Sequence, residues 1–134
     1  MDLMTRLRRC CQERESSIRE ESGLGEAEYA CVNAIAPGEQ LMVGELCARM
    51  GLSKSRGGRV VDHLVQRKLL ERRADADDRR VAHVRVTARG RAVQRRVSDC
   101  VDACETALRR KLNPTQQRAA HNGLALMLAA LEEA

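Results

Sequence analysis

A mainly helical fold with one small β-hairpin (α+β) is what this 134-residue sequence predicts. Three observations predict it. The chain holds no Trp, no Phe and a single Tyr, so Leu, Val, Ile, Met and Ala must fill the interior, a set that suits packed helices better than a large sheet. Apolar residues recur at helical spacing along most of its length. The exception is the stretch 69–86, where two short β-prone runs flank the polar segment ADADDRR, the pattern of a hairpin. The length fits one domain spanning residues 1–134.

Residues 1–20 read as a first helix: Leu3 and Leu7 stand one turn apart, and Cys10 or Cys11 continues their face. Ser22-Gly23 breaks it. A second helix runs from Gly25 to Ala36, with Glu26 and Glu28 near its positive N-terminal end. Its inward face is Ala27 or Tyr29, then Cys31, Val32 and Ile35, and Pro37-Gly38 stops it. Residues 40–43 leave room for a single edge strand. Gly44 to Met50 forms a short helix closed by Gly51, a typical C-terminal glycine. Ser53 is a good N-cap for a helix reaching about Lys68, which buries Val60, Val61, Leu64 and Val65 and shows Lys54, Ser55, Arg56 and Arg59. Leu69–Arg73 and Val81–Val86 are strands, the second alternating Val84 and Val86 against His83 and Arg85. Thr87 caps a long helix with the stripe Val93, Val97, Cys100, Val101, Cys104 and Leu108. Asn113-Pro114 opens a sixth helix, Pro being favoured at the first helical position, with Leu124, Met127, Leu128 and Leu131 on one face. A helix, a tight turn, a second helix and a hairpin in succession make a winged helix-turn-helix.

Charge is unevenly spread. Residues 53–96 hold fourteen Lys and Arg against five Asp and Glu, net +9, and the remainder holds ten against fourteen, net −4. Such an asymmetry points to a polyanion as partner. Nothing points to an enzyme: His63, His83 and His121 are scattered without ligand spacing, and no phosphate-binding glycine loop or nucleophile motif occurs. No apolar run reaches the roughly 20 residues that cross a bilayer, and the N-terminus lacks the apolar core of a signal peptide. The expected compartment is cytoplasmic, with no membrane partner, and the six cysteines are expected as thiols. Apolar stripes on the first and last helices of so short a chain call for a partner subunit.

From Leu24 to Val93 the chain resembles the MarR family of bacterial winged-helix regulators. The residues that carry the likeness are LGEAEYACVNAI, GELCARMGLS, RVVDHLVQRKLLERR and DADDRRVAHVRVTARG. The pattern Asp-x-x-Asp-Arg-Arg followed by Val-x-Val-Thr-x-x-Gly is the specific part, and helix order extends the likeness to nearly the whole chain. The resemblance implies an intertwined homodimer in which residues 1–22 and 94–134 form the helical dimerisation region. Residues 24–93 form the winged DNA-binding heads, which read a pseudo-palindromic operator in double-stranded DNA, by family habit as a repressor. Three departures stand out. Gly57-Gly58 replaces a usually polar position of the recognition helix, which lets the backbone approach DNA or lowers base specificity. Lys68 occupies a turn usually held by Gly, so a left-handed lysine is expected. The family's aromatic-rich ligand pocket cannot be built from this composition, which leaves any small effector unidentified.

On this reading Ser53, Lys54, Ser55, Arg56 and Arg59 project from the start of the recognition helix, the region that enters the major groove. Arg56 or Arg59 reads a base, guanine being the natural partner of a bidentate guanidinium, or both clamp phosphates. By resemblance, Asp78 braces the wing by pairing with an arginine and Arg80 reaches the minor groove, whose negative potential attracts arginine; Arg79 stands beside it. Arg72, Arg73 and Arg85 are backbone contacts or solvated. Cys31 and Cys47 pack as small hydrophobes. Cys100 and Cys104 lie four apart on one helix face, and the fold implied by the resemblance brings the first and fifth helices, with Cys10 and Cys11, near the dimer region. Four thiolates there would suit zinc or an iron–sulfur cluster, or a disulfide that responds to oxidant; equally, Cys100 and Cys104 simply continue the apolar stripe. The alternative to DNA reading is a winged helix used only as a protein–protein adaptor.

Overall fold

The computed structural model describes residues 2–133. Six helices and three short strands follow in the order α1 (Leu3–Ser22), α2 (Glu26–Asn33), β1 (Leu41–Met42), α3 (Val43–Met50), α4 (Lys54–Gln66), β2 (Leu70–Ala74), β3 (Ala82–Val86), α5 (Ala88–Lys111) and α6 (Pro114–Glu132). This is the mainly helical winged helix-turn-helix that the sequence predicts. Two compact units divide the chain at Val97/Ser98. The first holds α1 to the start of α5; the second holds the rest of α5 and α6.

Within the first unit the strands form one antiparallel sheet in the order β1-β3-β2. The register pairs Leu41 with Val84 on one side of β3, and Leu70 with Val86 and Arg72 with Val84 on the other. Leu41, Leu70 and Val84 therefore share the inner face. They join Leu24, Tyr29, Val32, Ile35, Leu46, Val61, Leu64 and Leu69 in one apolar cluster. Tyr29 thus takes the inward position on α2, while Ala27 is half-buried. In the second unit no residue of α6 is buried, and Leu124, Leu126, Met127, Leu128 and Leu131 are exposed, as are Val101 and Leu108 on α5. On α1 of the first unit, Leu3, Met4 and Leu7 are exposed as well.

Three helices of the first unit end in the same way. At each, a residue in the left-handed region stops the helix, and the next amide reaches back five residues: Leu24 to Arg19, Leu52 to Cys47 and Leu69 to Leu64. The left-handed residue is glycine at Gly23 and Gly51, but at the end of α4 it is Lys68, with φ 60°. A side chain in this region costs about 1–2 kcal/mol relative to glycine. Lys68→Gly is expected to raise the unfolding midpoint, by about 0.5–1 kcal/mol after the looser unfolded glycine chain is counted. A denaturant titration in which Lys68→Gly is no more stable than the parent would contradict this.

Gly90, at the start of α5, lies against the turn that Lys68 makes: a Cβ there would overlap the Leu69 carbonyl oxygen. The side chain of Gln94, one turn on, donates 2.7 Å hydrogen bonds to the carbonyls of Val32 and Ile35. Those carbonyls end α2, so α5 caps it from outside.

Candidate nucleic-acid interface

Helix α4 starts where the sequence places it. Ser53 has extended backbone and its Oγ accepts from the Arg56 amide at 3.3 Å, the N-cap role that serine favours. The core-facing side of α4 is Gly57, Val61 and Leu64. The opposite side leaves Lys54, Ser55, Arg59 and Asp62 exposed. Arg56 is also exposed, but on the flank towards α2, where it borders a shallow groove with Glu26, Ala30, Met50 and Leu52. Arg56 and Arg59, three residues apart, are neighbours on the outer surface of α4, with Arg56 the nearer to α2. Among the described residues neither takes part in an ion pair, nor do Lys54 and Arg79.

Four other arginines of this region, Arg67, Arg72, Arg73 and Arg85, are tied down. Arg72 lies on the inner side of the sheet and bonds Asp62 of α4 at 2.8 Å. It remains exposed, and the bond joins the wing to the recognition helix. The hydrophobic partner Val84 dictates this, because the strand register sends Arg72 to the same face. Arg85 pairs with Glu71, and Arg73 reaches the same carboxylate at 3.6 Å. At the far end of α4, Glu28 receives His63 and lies 3.5 Å from Arg67. Arg67 also donates to the carbonyls of Gly23 at 2.7 Å and Ser22 at 3.2 Å. The ends of α1, α2 and α4 are thus held by one side-chain group.

In the wing loop, Asp78 pairs with Arg80: its Oδ1 accepts from the Arg80 amide at 3.0 Å and lies 3.4 Å from Nε. The Arg80 side chain is nonetheless 94% exposed. The organising residue is one that sequence reasoning passed over, Asp75. Its Oδ1 accepts from the amides of Asp77 at 2.8 Å and Asp78 at 3.2 Å, and its Oδ2 bonds His83 Nε2 at 2.8 Å. The signal was available: an Asp that bonds the amide two residues on is a standard turn former. The bond from His83, and then the amides of Asp77 and Asp78, hold the Asp75 carboxyl below the usual carboxylate range. A carboxylate depressed in the folded state adds stability above its ordinary range and loses it as pH falls. The wing loop is therefore expected to stay ordered at neutral pH and to loosen well below about pH 4. Amide chemical shifts of Asp77 and Asp78 that do not move between pH 7 and about pH 2 would refute this.

The thiols fall into two classes. Cys31 and Cys47 are buried in the first unit, and burial pushes the Cys31 thiol up to about 12, so it packs as expected of a small apolar group. Cys10 and Cys11 are exposed on α1, and Cys100 and Cys104 are half-buried on α5. No three His, Cys, Asp or Glu side chains among the described residues are grouped to hold a metal ion.

Residues 22–81 match the sequence profile of the MarR family. The matched stretch runs from the end of α1 through α2, α3, α4 and β2 to the wing loop. Solved structures agree on the fold. The RV1404 protein of Mycobacterium tuberculosis is 25% identical, with 98% of this chain and 88% of that one covered and a TM-score of 0.80. The S. aureus MepR–DNA complex is 16% identical, with 96% and 97% covered and a TM-score of 0.78. Streptococcus pneumoniae FabT in complex with DNA is 16% identical, with 98% and 93% covered and a TM-score of 0.76. No curated protein compared by sequence matches the chain. Among the described residues no helix is long and apolar enough to cross a membrane.

Proposed function

We propose that this chain is a MarR-family transcriptional regulator that binds double-stranded DNA as a homodimer and represses from a pseudo-palindromic operator. One observation carries the reading. The exposed side of α4 and the wing tip present Lys54, Arg59 and Arg79 without an ion pair among the described residues, and Arg80 almost wholly exposed, while Arg67, Arg72, Arg73 and Arg85 are engaged with carboxylates. Side chains kept available at these two places are what a duplex requires, the helix for the major groove and the wing for the adjacent minor groove. The solved complexes of MepR and FabT with DNA support the same use of the fold. Ser53 and Ser55 supply hydroxyls at the helix start, Arg59 is the base reader, Arg56 and Arg73 contact phosphates, and Asp78 braces Arg80.

Self-association is supported by the exposed Leu and Met side chains of α1 and α6, which water disfavours. A two-fold dimer would read half-sites about one helical turn apart, roughly 34–36 Å. Regulation by oxidant through Cys10, Cys11, Cys100 and Cys104 belongs to the same proposal; the exposure of the adjacent Cys10 and Cys11 supports it.

The test is duplex affinity against salt. Affinity should fall steeply between 50 and 200 mM salt, by about a thousandfold if the dimer makes six or more phosphate contacts. Arg80→Ala should weaken all duplexes and lower the salt slope by about two units, one for each wing of the dimer, whereas Arg59→Ala should relax discrimination at particular bases, by about 1–3 kcal/mol. Salt-insensitive capture of a protein, with no duplex affinity, would instead establish the adaptor.

A further inference from the structure

We propose that Gly58 marks the closest approach of the recognition helix to the duplex and is a specificity-determining position of this protein. The inference rests on the DNA-reading role proposed above. Helix α4 carries two adjacent glycines in its interior, each costing about 1 kcal/mol relative to alanine. The two have different explanations. A Cβ on Gly57 would overlap the sulfur of Cys47, so packing against α3 requires that glycine. A Cβ on Gly58 would meet no heavy atom within 4 Å. Nothing inside the chain asks for glycine there, and alanine would make a better helix.

What lies around Gly58 says where the requirement comes from. It is four residues after Lys54, three after Ser55 and four before Asp62, spacings that place these residues together on a helix surface. All three are exposed, as is Arg59 beside it, while Val61, three residues on, is buried, so Gly58 is half-buried at the border between the polar face and the core side of α4. The missing side chain leaves one gap in a face otherwise covered by polar side chains, and through it the bare backbone of α4 is presented. A helix with its side chains is about 10–12 Å across, and the major groove is about 12 Å wide, so the fit is tight. Removing one Cβ from the inserted face lets the helix axis settle towards the base edges and brings Ser55 and Arg59 within reach of them. The glycine then trades helix stability for depth of insertion.

This account predicts effects of opposite sign on folding and on binding. The probe is a duplex enriched by the wild-type homodimer from a random-sequence pool, with affinity measured for the wild type, Gly58→Ala, Gly58→Ser and Arg59→Ala, and thermal unfolding measured for each. Gly58→Ala should unfold at a higher temperature than wild type, yet bind the selected duplex about tenfold more weakly or worse, the loss of one good base contact. Gly58→Ser should bind at least as poorly. If Gly58→Ala binds as the wild type does while Arg59→Ala binds more weakly, the inference falls and the DNA-reading role stands. If Gly58→Ala unfolds at a lower temperature, the premise of open space falls and the inference with it. If the wild type enriches no duplex, both are overturned.

Discussion

Gly90→Ala should strongly destabilise the first unit. A Cβ at this position would overlap the carbonyl oxygen of Leu69 and the Val86 methyl, and would lie 3.2 Å from the Leu69 carbonyl carbon. A flexible side chain could turn aside, but this carbonyl cannot. The Thr87 amide donates to it at 3.1 Å, and Thr87 Oγ1 lies 2.7 Å from the carbonyl of Lys68 and 3.1 Å from that of Leu69. The Leu69 amide is itself held by Leu64, and Leu69 and Leu70 are both buried. Thr87 also caps α5, accepting from the Gly90 amide at 3.1 Å. An added methyl must therefore push α5 away from the turn between α4 and β2, and Val93, Val97 and the Gln94 cap of α2 go with it. Overpacking a core usually costs about 1–3 kcal/mol. With backbone as the obstacle, about 3 kcal/mol or more is expected, out of a total stability of about 5–15 kcal/mol. A urea unfolding curve showing less than about 1 kcal/mol of loss would mean that the turn yields and that Gly90 is not its keystone.

How far the sequence revealed this molecule depends on whether the governing contact is local. The ends of α1, α3 and α4 were legible because each is set by residues within one turn, and the resemblance supplied the left-handed Lys68. The stripe Val61 and Leu64, the N-cap Ser53 and the hairpin around ADADDRR were legible for the same reason. Helix α2 was expected to run to Ala36 but ends at Asn33. The carbonyls that would continue it are taken by Gln94 from α5, and that of Ala34 by Arg49 from α3 at 2.8 Å; no local pattern announces such caps. Strand β2 begins at Leu70 rather than Leu69, since Leu69 still belongs to the turn that closes α4. In the site, the exposed positions of α4 could be placed from the sequence, and the resemblance implied that Asp78 pairs with an arginine, which the structure identifies as Arg80. The Arg72–Asp62 bond, the Glu28, His63 and Arg67 group and the Asp75–His83 bond could not all be seen, because partners drawn from different elements depend on strand register and helix docking.

The reason for Gly57 was equally invisible in the sequence, and it leads to the second large effect. Cys47 of α3 is 2% exposed and faces α4 exactly where a side chain at residue 57 would go; such a Cβ would overlap the sulfur and lie 3.3 Å from Cys47 Cβ. The pair acts as one filled volume, with the sulfur supplied by α3 and the vacancy by α4. Gly57→Ala is therefore expected to destabilise the protein by about 1–3 kcal/mol, although alanine improves helix propensity by about 1 kcal/mol. Cys47→Ala alone should cost about 1 kcal/mol, as the loss of one methyl-sized group does. Together the two changes should largely cancel, because the new methyl on α4 enters the space that the sulfur leaves. The coupling energy should reach about 1 kcal/mol or more, well outside the few tenths expected of independent sites. Duplex affinity supplies a second readout, since the contact sets the angle at which α3 carries α4. Gly57→Ala should weaken binding and the double variant should restore it. Additive losses in stability, with no recovery of affinity in the double variant, would show that the two residues do not share one space and that Gly57, like Gly58, answers to something outside the chain.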